Sequence, residues 1–228
     1  MLLDDLPLPK RDGERRDWPG LIGAAQPLAA AEAVLRHHAP VLAVTGTPQQ
    51  AAALQESLGF FLGDQVPVLG FPDWETLPYD VFSPHQDIIS ERLAGLYRLP
   101  SLERGVLVVP AATLMHPLPP RGWVESRTLL LGVGDRLELE PMRHRLEAAG
   151  YRCVPEVHEH GEFAVRGALL DLFPMGGDTP YRIDLFDDEV ESLRRFDPET
   201  QRTTERVEAI ELLPAREIPT DEAAITHF

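Results

Sequence analysis

Hydrophobic positions change rhythm along the chain. Residues 27–38 are rich in Ala and Leu and open with Pro27, which suits the first turn of a helix, so a helix is predicted there. Residues 41–45 are an apolar run of strand length and predict a short buried strand. Gly46-Thr47-Pro48 then turns the chain into a second helix that ends near Gly59. Residues 66–69 and 106–109 repeat the short apolar run, and between them residues 87–98 set Ile88, Ile89, Leu93, Leu96 and Tyr97 on one helical face. Apolar strands alternating with helices predict a parallel α/β sheet.

Near residue 125 the rhythm shortens. Residues 126–131 predict a strand, 141–149 a short helix closed by Gly150, and 152–157 another strand. The stretch GEFAVRGALLDLFPMGGDTPYRIDLF, 161–186, predicts antiparallel strands at 163–165, 168–173 and 181–186, with a turn at Arg166-Gly167 and a MGGDTP loop. Strands at 190–196 and 203–212 follow, across turns at Asp187-Asp188-Glu189 and Asp197-Pro198-Glu199. This is a second domain of α+β type. Residues 1–20 are polar, contain proline and carry clustered charge, which predicts a flexible arm. Pro219-Thr220-Asp221-Glu222 has the composition of a helix start, and the sequence stops at Phe228 before that helix is built. A piece of a longer protein is expected.

Strand alternation on 181–186 places Tyr181, Ile183 and Leu185 on a core side and Arg182, Asp184 and Phe186 on the other. A phenylalanine beside an arginine on a solvent face, with Arg166 on a nearby turn, has the composition of a protein-binding hot spot. The same residues suit an ordinary solvated sheet with Phe186 tucked under the next turn.

Charge narrows the function. The formal net charge is −16, and residues 151–228 hold 18 Asp and Glu against 8 Arg. Such a chain lacks the basic footprint that supplies most nucleic-acid affinity, which argues against direct DNA binding. The single cysteine, Cys153, cannot form an internal disulfide, and a reducing compartment follows. The first residues do not read as a signal peptide, and no apolar run approaches the ~18 residues of a membrane span. A soluble cytoplasmic protein is expected.

Catalytic patterns are missing. A phosphate-binding loop needs a Lys and a Ser or Thr after its glycines; Gly23-Ala24-Ala25-Gln26-Pro27 has neither, and the only lysine is Lys10. Tyr181 to Glu189, YRIDLFDDE, imitates an ATPase strand with its acidic pair but reads as a hairpin turn. Gly132-Val133-Gly134 lacks the third glycine of a dinucleotide fingerprint, with Leu137 in its place, and reads as a turn. His158 and His160, on one predicted strand face, could ligate a metal, but no second ligand pair has metal-site spacing. Asp73, Glu75 and Asp80 could be general acids or members of a solvated loop. No nucleophile motif is present. The expected protein is non-catalytic, with no cofactor and no metal.

At residues 71–100, FPDWETLPYDVFSPHQDIISERLAGLYRLP, again at 161–197, and through QRTTERVEAIELLPAREIPTDEAAITHF at 201–228, the sequence resembles the N-terminal region of the bacterial transcription-repair-coupling factor family. The resemblance covers about residues 20–228. It implies a parent that is an ATP-driven translocase on double-stranded DNA, with ATP and Mg in its motor. Such a protein displaces RNA polymerase stalled at a lesion and recruits excision repair. It implies a UvrB-like layout: a degenerate RecA-like domain 1a at 21–125, an inserted UvrA-interaction domain 2 at 126–213, and the start of domain 1b at 214–228. Matching RGALLDLFP and PYRIDLF to the family places the UvrA contact on Arg166, Arg182 and Phe186, a face held covered in the family until the motor engages. The short passage from Tyr79-Asp80 to the helix at Asp87 leaves no room for the long hairpin with which UvrB grips DNA. The resemblance therefore implies a monomeric UvrA-recruiting module; the alternative is a UvrB-like nucleotide-binding or DNA-binding domain acting on damaged DNA itself.

Overall fold

A computed structural model describes residues 6–76 and 80–218. They group into two compact units, one drawn from 1–73 and 99–116, the other from 74–98 and 117–228. The five residues that begin the arm, Tyr79, and the helix start at Pro219-Thr220-Asp221-Glu222 lie outside the described residues. Among the described residues, no helix is long and apolar enough to cross a membrane.

In the first unit, α1 (Ala25–Arg36) begins two residues before Pro27, which sits within the first turn, where its missing N–H is no loss. After β1 (Pro40–Thr45), Thr47 caps α2 (Pro48–Leu62): its hydroxyl oxygen accepts a hydrogen bond from the Gln50 amide at 3.2 Å. The helix passes through Gly59, the expected stop, because Leu58 and Leu62 are both buried beneath it, and it ends instead at Gly63 with φ +52°. Strands β2 (Val68–Gly70) and β3 (Gly105–Pro110) complete a parallel sheet in the order β1-β3-β2. Val34, Leu58, Leu62, Val66, Val106 and Val108 form its core. The expectation of a buried first strand is corrected: β1 is an edge strand, and Leu42 and Val44 are each about half exposed. The described part of the arm has no helix or strand, yet Leu6 is buried and its carbonyl accepts from Arg36 at 3.1 Å.

The second unit opens with α3 (Gln86–Arg98), which sends Leu93 into this unit's core; the sequence reading counted this helix with the first domain. It continues with α4 (Arg121–Arg127), β4 (Leu129–Gly132), α5 (Leu139–Ala148) and β5 (Arg152–Cys153). Then come β6 (Glu162–Arg166), β7 (Leu169–Leu172), β8 (Tyr181–Phe186), β9 (Glu189–Phe196), β10 (Thr203–Val207) and β11 (Ala209–Leu212). Six strands pair in the order β10-β9-β8-β7-β6-β5, antiparallel except for the β5–β6 pair. β11 instead pairs with β4.

Three strand expectations are revised here. Ser126 and Arg127 belong to α4, and the strand begins at Leu129. The strand expected over 203–212 breaks at Glu208, where the chain leaves one sheet for the other. The strand expected over 152–157 has only two residues, since Pro155 offers no N–H to extend the ladder. The inner face of the large sheet (Phe163, Leu170, Leu172, Ile183, Leu185, Leu193) packs with Leu93, Val124 and Leu146 into one core.

A buried ion pair closes this unit. Arg92 on α3 has a fully buried side chain and donates to both carboxylate oxygens of Glu217 at 2.7 Å, while the Trp74 indole N–H donates to the same carboxylate at 2.9 Å. The Arg92 guanidinium also lies over the Trp74 ring, 4.8 Å from its centroid. Contacts 125 residues apart thus pin the chain beyond β11 to α3. Removing one partner leaves a buried charge unmatched, so Glu217→Ala is expected to lower unfolding free energy by about 3–5 kcal/mol, read by urea denaturation of the whole chain.

Candidate docking face

The outer face of the six-stranded sheet is built by alternation. Because Leu170 and Leu172 point into the core, Asp171 must point out; because Ile183 and Leu185 point in, Arg182, Asp184 and Phe186 point out. Register then brings Asp171 opposite Arg182, and Arg182 opposite Arg194. At one end a small apolar cluster of Val157, Ala164, Phe173 and Phe196 covers the sheet. At the other stands Phe186, 74 % exposed.

Asp171 organises the centre of this face. Its side chain is fully buried, and its two oxygens accept from Arg182 Nε at 2.7 Å and from an Arg182 terminal nitrogen at 2.8 Å. Arg166 donates a further bond to the same carboxylate. Two arginines share one carboxylate, so the cluster keeps a positive charge within an acidic chain. The bond to Asp171 pushes the Arg182 guanidinium above its ordinary pKa, against the opposing effect of burial. The other terminal nitrogen of Arg182 donates to the Gln201 carbonyl at 3.3 Å, and its guanidinium lies 5.1 Å from the Phe196 ring centroid.

Gln201 is itself held in place. It has φ +59°, follows an Asp197-centred turn, and its side-chain amide donates to the Val157 and Pro198 carbonyls. The Asp197 carboxylate accepts from the Thr200 amide and hydroxyl and from the Glu199 amide, which hold it below its usual range.

The three residues singled out by sequence occupy this face unequally. Arg166 is the last residue of β6, just before a turn at Gly167 with φ +62°, and its side chain is 40 % exposed. Arg182 is 16 % exposed and locked. Phe186 is not tucked under the following turn. It stands on the face of Arg182, four residues along β8 or roughly 13 Å. The YRIDLFDDE segment is the hairpin expected of it: Phe186 pairs with Glu189 across Asp187-Asp188, and Asp187 has φ +59°. A neighbouring turn braces the hairpin. The Leu137 amide donates to the Asp188 carbonyl at 2.7 Å, the Val190 amide to the Asp135 carbonyl at 2.9 Å, and Gly134 to Val190 at 2.9 Å. Gly132-Val133-Gly134 belongs to that brace, with the Asp135 carboxylate accepting from the Gly132 amide at 2.7 Å.

Sequence reasoning missed Asp171, and with it the Asp184–Arg194 pair, which Ser192 completes by donating to Asp184 at 2.6 Å. The available signal was a lone acid inside the apolar run Leu169-Leu170-Asp171-Leu172-Phe173, which demands a cationic partner wherever it is buried.

Other candidates resolve differently. His158 and His160 lie in the loop before β6 rather than on a strand face; His160 bonds Asp87 at 2.7 Å and the Gly177 carbonyl at 2.8 Å. Among the described residues, no group of three or more His, Cys, Asp or Glu could hold a metal. Gly23 and Ala24 turn into α1 and Ala25, Gln26 and Pro27 begin it, and Asp73 accepts from the Thr113 hydroxyl at 3.2 Å.

Comparison with known proteins falls on the same region. Residues 129–218 match the UvrB interaction domain. The chain is 52 % identical over 221 residues to the transcription-repair-coupling factor of Escherichia coli (strain K12), an alignment covering 97 % of this chain and 19 % of that protein. It is 45 % identical to that of Haemophilus influenzae, over the same shares, and 31 % identical to that of Bacillus subtilis, over 87 % of this chain and 17 % of that protein. The chain spans about a fifth of the length of these curated relatives.

Truncating the buried carboxylate strands two arginines beside a cavity. Asp171→Ala is expected to cost about 3–5 kcal/mol of stability, measured by urea denaturation; a loss no larger than that of a surface aspartate would show that the pair is not coupled to the fold.

Proposed function

We propose that this chain, similar along nearly its whole length to transcription-repair-coupling factors and carrying a UvrB interaction domain at 129–218, is the module that recruits UvrA. Its target would be RNA polymerase stalled at DNA lesions. The observation that carries the reading is the outer sheet face: two arginines preset on a buried carboxylate, on the same side as an exposed phenylalanine.

The physical roles divide cleanly. Asp171 orients Arg182 before any partner arrives, and ordering a long side chain in advance removes about 0.5–1.5 kcal/mol of binding cost. Arg166, bonded to Asp171 through one terminal nitrogen and 40 % exposed, suits forked recognition of a carboxylate on UvrA, while Arg182, whose three nitrogens are engaged by Asp171 and Gln201, adds a fixed positive charge. Phe186, held outward by the braced hairpin, supplies apolar area whose burial contributes about 1.5–3 kcal/mol. The first unit is a degenerate RecA-like domain that neither binds nor hydrolyses ATP through residues 23–27. The parallel order β1-β3-β2 flanked by α1 and α2, and the missing Lys and Ser or Thr, support this. The translocase activity, its ATP and Mg, and the contacts with RNA polymerase and double-stranded DNA belong to other parts of a longer protein. The module acts as a cytoplasmic monomer.

Calorimetric titration of the chain into UvrA tests the proposal. Wild type binds, and Arg182→Ala and Phe186→Ala each lose more than ~2 kcal/mol. Binding that survives both changes would move the docking site elsewhere, and a folded wild type that does not bind would overturn the recruiting role.

A further inference from the structure

The outer sheet face has a feature that neither the buried carboxylate nor the exposed phenylalanine accounts for. Register sets Arg182 on β8 opposite Arg194 on β9, and Arg194 opposite Arg206 on β10. Three arginines thus stand in one row across neighbouring strands, with Asp171 of β7 at its end. At about 4.8 Å per strand, the row from Asp171 to Arg206 is roughly 14 Å long. Like charges directly opposite one another destabilise a sheet. Asp171 compensates Arg182, and Asp184 compensates Arg194, accepting from its Nε at 3.1 Å. Arg206 is exposed, and among the described residues its side chain has no hydrogen-bond or ion-pair partner.

A β-bulge puts it there. Thr203 lies opposite Phe196 and Arg206 opposite Arg194, so β10 fits one extra residue between these pairs. Unbroken pairing would set Glu205 opposite Arg194, a neutralising match. The bulge instead leaves Glu205 to Arg195, which donates to it at 2.6 Å, and brings Arg206 into the row. Val207, opposite Leu193, still reaches the core side. The other carboxylates of β9 and the residue after β10, Glu189, Glu191 and Glu208, are exposed and form no ion pair among the described residues. The row and Arg166 together set four arginines against Asp171 and Asp184, a positive surplus in a chain of net charge −16.

We propose that Arg194 and Arg206 extend the docking face into a row that reads a line of carboxylates on UvrA, with Arg206 the specificity-determining cation. The inference rests on the recruiting role above and names the chemistry of the partner surface. Arg182 is engaged by Asp171 and Gln201, and Arg194 by Asp184, so both act as fixed charges. Arg206 keeps its whole guanidinium fork for a carboxylate. An anion there relieves the opposition of Arg194 and Arg206 that the free sheet retains. The net charge of the chain repels the phosphates of a nucleic acid, which favours a protein surface.

Calorimetric titration of the whole chain into UvrA at two salt concentrations tests this. Arg206→Glu should weaken binding about 10- to 100-fold, the loss of a charge-assisted hydrogen bond, and flatten its salt dependence. Arg206→Lys should recover part of the affinity. The thermal midpoint of Arg206→Glu should stay level or rise, because the change removes the opposition to Arg194. Arg15→Glu, the same charge change in the first unit, should leave affinity unchanged. Unchanged affinity in Arg206→Glu overturns the row, while binding by wild type keeps the recruiting role. An equal loss in Arg15→Glu also overturns it, since net charge alone would then explain the effect. So does a lowered midpoint in Arg206→Glu, which would give the arginine a role in the fold. Saturable binding of a short DNA duplex, abolished by Arg206→Glu, overturns the assignment to carboxylates. Absence of binding by wild type overturns the row and the recruiting role together.

Discussion

A carboxylate with no exposed surface cannot stay charged in a sheet without cations at hand, and Asp171 meets that demand by drawing Arg182 and Arg166 across the outer face. The consequences spread from there. Arg182, once fixed, reaches the Gln201 carbonyl and the Phe196 ring, which ties the turn after β9 to the centre of the sheet. In the proposed role, the residue that satisfies the fold is also one offered to a partner. Rigidity of Arg182 is therefore a by-product of burying a charge, and a partner docking as proposed would meet a guanidinium whose orientation is already set.

Phe186 depends on a different support. Among the described residues it is 74 % exposed, so its position comes from the hairpin, and the hairpin from backbone bonds to the 134–137 turn. An exposed aromatic on a braced turn differs from one on a mobile loop: the backbone that carries it is fixed before binding. The neighbouring acids Asp187, Asp188 and Glu189 give the hairpin tip a negative charge, in contrast with the positive cluster around Asp171.

Much of this was readable from pattern, and the remainder failed for physical reasons. The strand at 181–186 and its two faces follow from period-two alternation alone, because one side had to be apolar. The Asp171–Arg182 pairing could not be read, since it depends on register across the Pro174 to Pro180 connection, whose length and glycines leave several registers open. Helix α4 was hidden by Gly122 and by the apolar residues at 129–131, which pulled the expected strand too early. β1 was expected to be buried because an apolar run looks the same at an edge as at a centre. Helix α3 has an apolar face that suits either unit, and only three-dimensional contact shows that Leu93 enters the second core.

Backbone amide exchange on the chain alone and with UvrA bears most directly on whether this sheet face is where recruitment occurs. Binding should slow exchange at the hairpin around Phe186 and at the Arg166-Gly167 turn, and leave α1, α2 and their sheet unchanged. Protection confined to the first unit, with the hairpin and that turn exchanging as in the free chain, would contradict it.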